Sequence, residues 1–326
     1  GLITLAYITG NDHLVRGVRY TYLLGRSSPE IDDRDFFPYT TIPASAPQPW
    51  PQGTRYGKLQ LKPEQEAKLK ELYSVGFALF QHDSLIFEQY WNGWDADSVS
   101  NSFSVAKSYI SLLTGIAMKE GVIKDVFQPV GDFIPLYKEG CYTKINLYHL
   151  LTMSTGLDWS ESGADPFSDN AKGYYGSDVR GISLNQPCRD EPGKSFDYIS
   201  GSTQIMAEVL EAAYGRPLDE LVREKVWGPL GCEHDAYWGK DTEDGDFKAF
   251  WTRNPIRWSG GNCTWTAGNG RAHGSSTRNT GRQASHRPHS TTADHRTNAM
   301  GISGGWPNWM ATRSGIAAAS TGNTWW

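Results

Sequence analysis

NSFSVAKSYISLLTGIAMKEG, residues 101–121, places Ser104 three residues before Lys107 at the head of an apolar run containing Tyr109, Ile110, Leu112 and Leu113. A serine hydroxyl is a poor nucleophile until its proton is removed. On a helix, positions three apart share one face, so the lysine amine can reach the hydroxyl. An amine drawn partly out of water, near other cations or dipoles, can exist as the free base. A serine at a helix N-terminus also has backbone N–H groups and the positive end of the helix dipole beside it, which suit an oxyanion. Alone, the pair equally describes a capping serine beside a solvated lysine. It is, however, the only S-x-x-K in the chain, and Gly121 marks a helix stop behind it.

Outward from this stretch, VGFALFQHDSLIFEQYW (75–91) reads as two strands joined by a turn near His82 and Asp83. PEQEAKLKELYS (63–74) before it reads as a short helix. INLYHLLTMSTGLDW (145–159) predicts a short buried helix ended at Gly156, and SGSTQIMAEVLEAAYG (200–215) an amphipathic helix capped by Gly215 with Pro217 beyond. Residues 5–25 hold one short amphipathic stretch. Pro38, Pro43, Pro47, Pro49 and Pro51 make a connector expected to run extended over a surface. Strands first and helices afterwards describe a mixed α/β domain, not alternating βαβ units.

Tyr198 precedes the 200–215 helix, and a phenol set against a lysine amine can relay protons to a serine and a leaving group. Taken in order, SFSVAKS, LYHLLTMSTGLDW, FDYISGSTQIMAEVLEAAYGRPL and VWGPLG resemble the serine β-lactamase and penicillin-binding-protein-like superfamily. Within it they are similar to the class C-related branch, which includes esterases and 6-aminohexanoate-dimer hydrolases. The resemblance covers roughly residues 70–240. It implies an α/β (α+β) fold with an antiparallel sheet flanked by helices and a helical subdomain. It further implies Ser104 as the acylated nucleophile, Lys107 as its base or proton relay, and Tyr198 as base in acylation and acid toward the leaving group. Ser200 takes the substrate-binding place usually held by Asn in Y-x-N, and His149 a structural place beneath the site. No metal or nucleotide is implied. The substrate is a small-molecule amide or ester, cleaved through an acyl-enzyme. The alternative is a non-turnover penicillin-binding sensor or an inactive relative, with an aberrant C-terminus as the reason this chain would lack activity.

A net charge of −5 and a pI near 5.9 leave no basic field for nucleic acid or an anionic membrane. No apolar run approaches the roughly 18 residues of a membrane span. Cys141, Cys188, Cys232 and Cys263 show no metal-ligand spacing and no disulfide framework, leaving one isolated bridge open. The chain opens on Gly1, and a signal or anchor preceding it would place the protein in the cell envelope.

The last 76 residues, 251–326, are of a different composition: no Leu, Val, Phe, Tyr, Lys or Glu, one acid (Asp294), 8 Arg, 11 Gly, 11 Thr and 7 of the 13 Trp. They are expected to form neither strand nor amphipathic helix, and to leave the C-terminal part of the sheet missing or aberrant. The division expected is therefore a 1–69 N-terminal segment, a 70–250 catalytic domain left incomplete, and an atypical 251–326 tail. Two readings of that composition stand: a disordered tail, or a tail translated in a shifted reading frame. One permitted codon choice for GISGGWPNWMATR (301–313), read two bases on, gives DQWWLAELDGDE. The coding DNA tests this reading. The family's third motif, a K-T-G or equivalent on a strand beside the serine, falls inside this tail. Arg313-Ser314-Gly315 matches it loosely but precedes GIAAAS, a poor strand by composition. Gly301-Ile302-Ser303-Gly304-Gly305 spells G-x-S-x-G without the strand and helix a nucleophile elbow needs.

Overall fold

A computed structural model describes residues 1–248 and the backbone of 253–255 and 316–320. In chain order the helices are α1 (Leu2–Ile8), α2 (Asp12–Tyr20), α3 (Pro63–Glu71), α4 (Lys107–Lys119), α5 (Leu147–Leu151), α6 (Asp169–Tyr175), α7 (Val179–Leu184), α8 (Ser200–Tyr214) and α9 (Leu218–Val222). The strands are β1 (Tyr39–Ile42), β2 (Ser74–Gln81), β3 (Ser84–Tyr90), β4 (Val99–Asn101), β5 (Ala236–Gly239), β6 (Arg253–Pro255) and β7 (Ile316–Ser320). They form two antiparallel sheets, ordered β3-β2-β7 and β1-β5-β6-β4. The α+β expectation holds.

The β2–β3 hairpin turns at His82 (φ 49°) and Asp83 (φ 56°), the two left-handed positions that suit the twist of its strands. The single N-terminal stretch expected is in fact two helices, broken at Gly10 (φ 70°). The proline connector is not only a surface span. Between Pro38 and Pro43 the β-branched run Thr40-Thr41-Ile42 supplies β1, which pairs with β5 and buries Ile42.

The main core packs Ile110, Leu113 and Ala117 of α4 against Ile205, Val209 and Leu210 of α8, with Leu147, Leu221 and Trp238 around them. Every residue of α8 from Ser200 to Leu210 is buried, so it is the central helix. Gly215 (φ 62°) ends it, and Pro217 caps α9. A second cluster joins Phe37, Tyr174, Tyr175 and Val179 with Tyr20, Phe36 and Phe103, fastening the N-terminal segment to α6. Arg16 reinforces that contact by donating to the carbonyls of Tyr175, Gly176 and Asp241, each at 3.3 Å.

Helix α5 ends at Leu151, five residues before the stop expected at Gly156. Beyond it the backbone pairs elsewhere: Gly193 donates to Ser154, and Arg189 and Asp190 both donate to Gly156. That pairing competes successfully with continued helix. The Cys141–Cys188 disulfide, spanning 47 residues, ties the same segment down; it is the isolated bridge left open by the sequence.

The tail forms strands at two places, correcting the expectation from its composition. β6 pairs with β4 and β5, and β7, the poor-looking IAAAS, pairs along β2 from Leu79↔Ile316 to Ser74↔Ser320. A sheet edge presents unpaired N–H and C=O groups, and satisfying them outweighs weak intrinsic strand preference. Arg313-Ser314-Gly315 and Gly301–Gly305 lie outside the described residues. Among the described residues no helix is long and apolar enough to cross a membrane.

Candidate active site

Strand β4 ends at Asn101, whose side chain shapes the next turn. Asn101 Oδ1 accepts from the Phe103 N–H at 2.9 Å, while Asn101 Nδ2 donates to the Tyr174 hydroxyl at 3.3 Å. Phe103 sits at φ 44°, a conformation that costs a non-glycine residue about 1–2 kcal/mol, and its ring stacks on Tyr174. The strained residue immediately precedes Ser104.

Ser104 does not lie within the regular helix. It occupies a 3₁₀ turn, Phe103–Ala106, and Lys107 is the first residue of α4. In a 3₁₀ turn side chains three apart eclipse instead of being offset. Lys107 Nζ accordingly donates to Ser104 Oγ at 3.0 Å. Ala106, fully buried, anchors the turn while Ser104 faces solvent.

Tyr198 arrives from the other side, at the entry to α8. Ile199 is buried and fixes the approach, and the half-exposed Tyr198 ring centroid stands 5.1 Å from Lys107 Nζ. The structure thus brings Ser104, Lys107 and Tyr198 together. Ser200 is 2% exposed; its N–H donates to Glu161 Oε2 at 3.0 Å and its hydroxyl to Glu161 Oε1 at 2.5 Å. His149 is half-buried in the capping box of α5, where its N–H donates to Asn146 Oδ1 and its Nδ1 accepts from the Asn146 N–H. Burial pushes its pKa down, and it does not line the cavity.

A cavity of about 240 Å³ opens beside Ser104, which lines it together with Phe103, Glu161, Ser200 and Tyr174. Glu161 is the residue sequence reasoning missed. It accepts from Trp159 Nε1 at 2.6 Å as well as from Ser200, and so joins the start of α8 to the loop after Trp159. The polar, Gly-rich and aromatic sequence of residues 160–181 reads as a loop, facing substrate or idle on the surface; the structure instead places α6 and the start of α7 within it, and nothing in the sequence pattern distinguishes Glu161 from its neighbours. Trp159 also lies so close that a Cβ on Gly201 would meet its ring at 2.6 Å.

Away from this cavity, Glu208, Glu211 and Asp246 each bring one oxygen within 4.8 Å of the others. Arg180 stands 3.2 Å from Glu208 and 3.6 Å from Asp246, supplying the positive charge there. Burial pushes the Glu208 carboxyl up to about 7.

Comparison with known proteins follows the same lines. The Beta-lactamase family model matches residues 64–312, more than the span carried by the sequence motifs. The chain is 26% identical to the 6-aminohexanoate-dimer hydrolase of Paenarthrobacter ureafaciens over 53% of its own length and 47% of that protein's. It is 28% identical to esterase EstB of Burkholderia gladioli over 34% of its own length and 31% of that protein's. The chain thus spans no more than about half the length of these curated relatives. In structure it is similar to a putative 6-aminohexanoate-dimer hydrolase from Bacillus anthracis, with a TM-score of 0.58 at 19% identity, covering 74% of this chain and 66% of that one. With residues 64–312 matched, the chain belongs to the Beta-lactamase family.

Proposed function

We propose that the protein is a serine hydrolase that cleaves an amide or ester through an acyl-enzyme on Ser104. The observation that carries this reading is the 3.0 Å approach of Lys107 Nζ to Ser104 Oγ with the Tyr198 ring against the same amine. Lys107 takes the Ser104 proton as Oγ attacks the substrate carbonyl carbon. The Ser104 backbone N–H at the start of the turn is the first donor to the oxyanion that forms. Collapse breaks the C–N or C–O bond, with Tyr198 delivering a proton to the departing nitrogen or oxygen and regaining one from Lys107. Water then attacks the Ser104 ester, losing its proton to the same relay, and Ser104 is released with the acid product. Ser200 acts at the cavity wall, where Glu161 holds its hydroxyl. Its hydroxyl is therefore already committed to a carboxylate, and its contribution to substrate binding runs through Glu161.

Turnover of p-nitrophenyl acetate tests the roles. Ser104→Ala and Lys107→Ala are expected to lower kcat/KM by at least about 10³-fold, and Tyr198→Phe by about 10²-fold. Equal turnover by wild type and Ser104→Ala would overturn the reading. A stable Ser104 adduct formed without turnover would instead establish the penicillin-binding sensor alternative.

A further inference from the structure

The cavity beside Ser104 has a wall that the family match does not cover. His13, Leu14, Gly17, Val18, Thr21 and Tyr22 all line it, residues spaced so that one face of α2 and the turn after it look onto the cavity. These residues precede the matched span of 64–312. The helix is held in place from its other contacts. Arg16 bonds three carbonyls across the α6 terminus and Asp241. At Gly17 a Cβ would already stand 3.6 Å from the Tyr175 ring, so a larger side chain there would compete with the ring for the same space.

We infer that α2 is the specificity-determining wall of the acyl cavity, restricting it to short acyl groups that carry no negative charge. The inference rests on the acyl-enzyme reading above and names its substrate class. Length follows from volume: about 240 Å³ lies below the roughly 300–1,000 Å³ of sites for drug-sized ligands. Charge follows from the lining, which includes Glu161 and Asp165 and neither lysine nor arginine among the described lining residues. Lys107 touches Ser104 but lies outside that lining. Burial pushes the His13 pKa down, and the α2 cations Arg16 and Arg19 lie outside the lining. An acyl carboxylate would therefore meet like charge without a partner.

The test uses the full chain and three p-nitrophenyl esters: acetate, hexanoate, and a chain of hexanoate length ending in a carboxylate. Val18→Trp, made at an exposed rim position, should lower the hexanoate-to-acetate ratio of kcat/KM at least about tenfold. Leu14→Ala should raise it. Ile8→Ser on α1, outside the lining, should leave it within about twofold. The carboxylate-ended ester should be used at least about tenfold less well than hexanoate by wild type. A ratio unmoved by both Val18→Trp and Leu14→Ala, in proteins that still turn over acetate, overturns the wall while leaving the hydrolase reading intact. So does an equal shift with Ile8→Ser, and equal use of the charged ester overturns the charge restriction. Failure of wild type to acylate Ser104 would defeat the hydrolase reading and this inference with it.

Discussion

Phe103 holds the least favourable backbone conformation near the site, and its neighbours explain why it persists. The Asn101 carbonyl takes its N–H, and Tyr174 stacks on its ring. That cost sets the turn which eclipses Ser104 and Lys107. Replacing Asn101 by Ala is expected to lower kcat by about tenfold or more with little change in KM, because it loosens the turn without touching substrate contacts. Steady-state kinetics on the acetate ester checks this. Glu161 acts at the same scale. Glu161→Ala leaves the Ser200 N–H and hydroxyl and the Trp159 indole N–H without their acceptor, at a cost of about 1–3 kcal/mol, while Glu161→Gln retains one carbonyl oxygen and should lose less. Urea denaturation of the two variants measures the difference. The S-x-x-K pair could be read in the sequence because its spacing is local. Glu161 could not, because its value depends on where α8 ends up relative to a loop 39 residues earlier.

Among the elements, those with strong local signals were the ones readable beforehand. The hairpin turn at His82-Asp83 and the helix stops at Gly121 and Gly215 follow from residues a few positions apart, whereas α8 is buried on every side from Ser200 to Leu210 and not along one stripe. The misread elements are those decided by distant partners. β1 exists because β5 lies beside it, β7 because β2 offers an edge, and α5 stops early because residues 189–193 claim its continuation. Gly156 shows how tight that last pairing is: it sits at φ 71°, and a Cβ there would fall 2.2 Å from the Asp190 carbonyl oxygen. Gly156→Ala should therefore destabilise by at least about 3 kcal/mol, through both backbone strain and displacement of the 189–193 segment. Thermal denaturation alongside wild type checks it. Removing the nearby bridge with Cys188→Ser frees a 47-residue loop in the unfolded chain, worth up to about 4 kcal/mol by loop entropy.

At the scale of the whole molecule, buried carboxylates shape the dependence of stability on pH, with Glu211 and Asp241 raised by burial as well as Glu208. Glu208 has its pKa raised to about 7 by burial, with Arg180 opposing the shift. The folded state therefore binds its proton more tightly than the unfolded chain does. The stability this contributes is complete below about pH 4.5 and is lost as pH rises through about 7, a change of order 3 kcal/mol. Glu208→Gln should flatten that fall, which melting temperatures between pH 5 and 8 would register. The cavity beside Ser104 also draws on both sides of the boundary of the family match. Its nucleophile lies inside the family-matched span and one wall comes from α2 outside it, a combination invisible to motif spacing. The proposed reaction depends on Ser104 Oγ being the atom that attacks. Treating the full chain with a fluorophosphonate and mapping the adduct by peptide mass spectrometry tests this directly. A single adduct on Ser104, absent from Ser104→Ala and strongly slowed in Lys107→Ala, is the predicted result; an adduct on any other residue, or none while ester turnover continues, would contradict it.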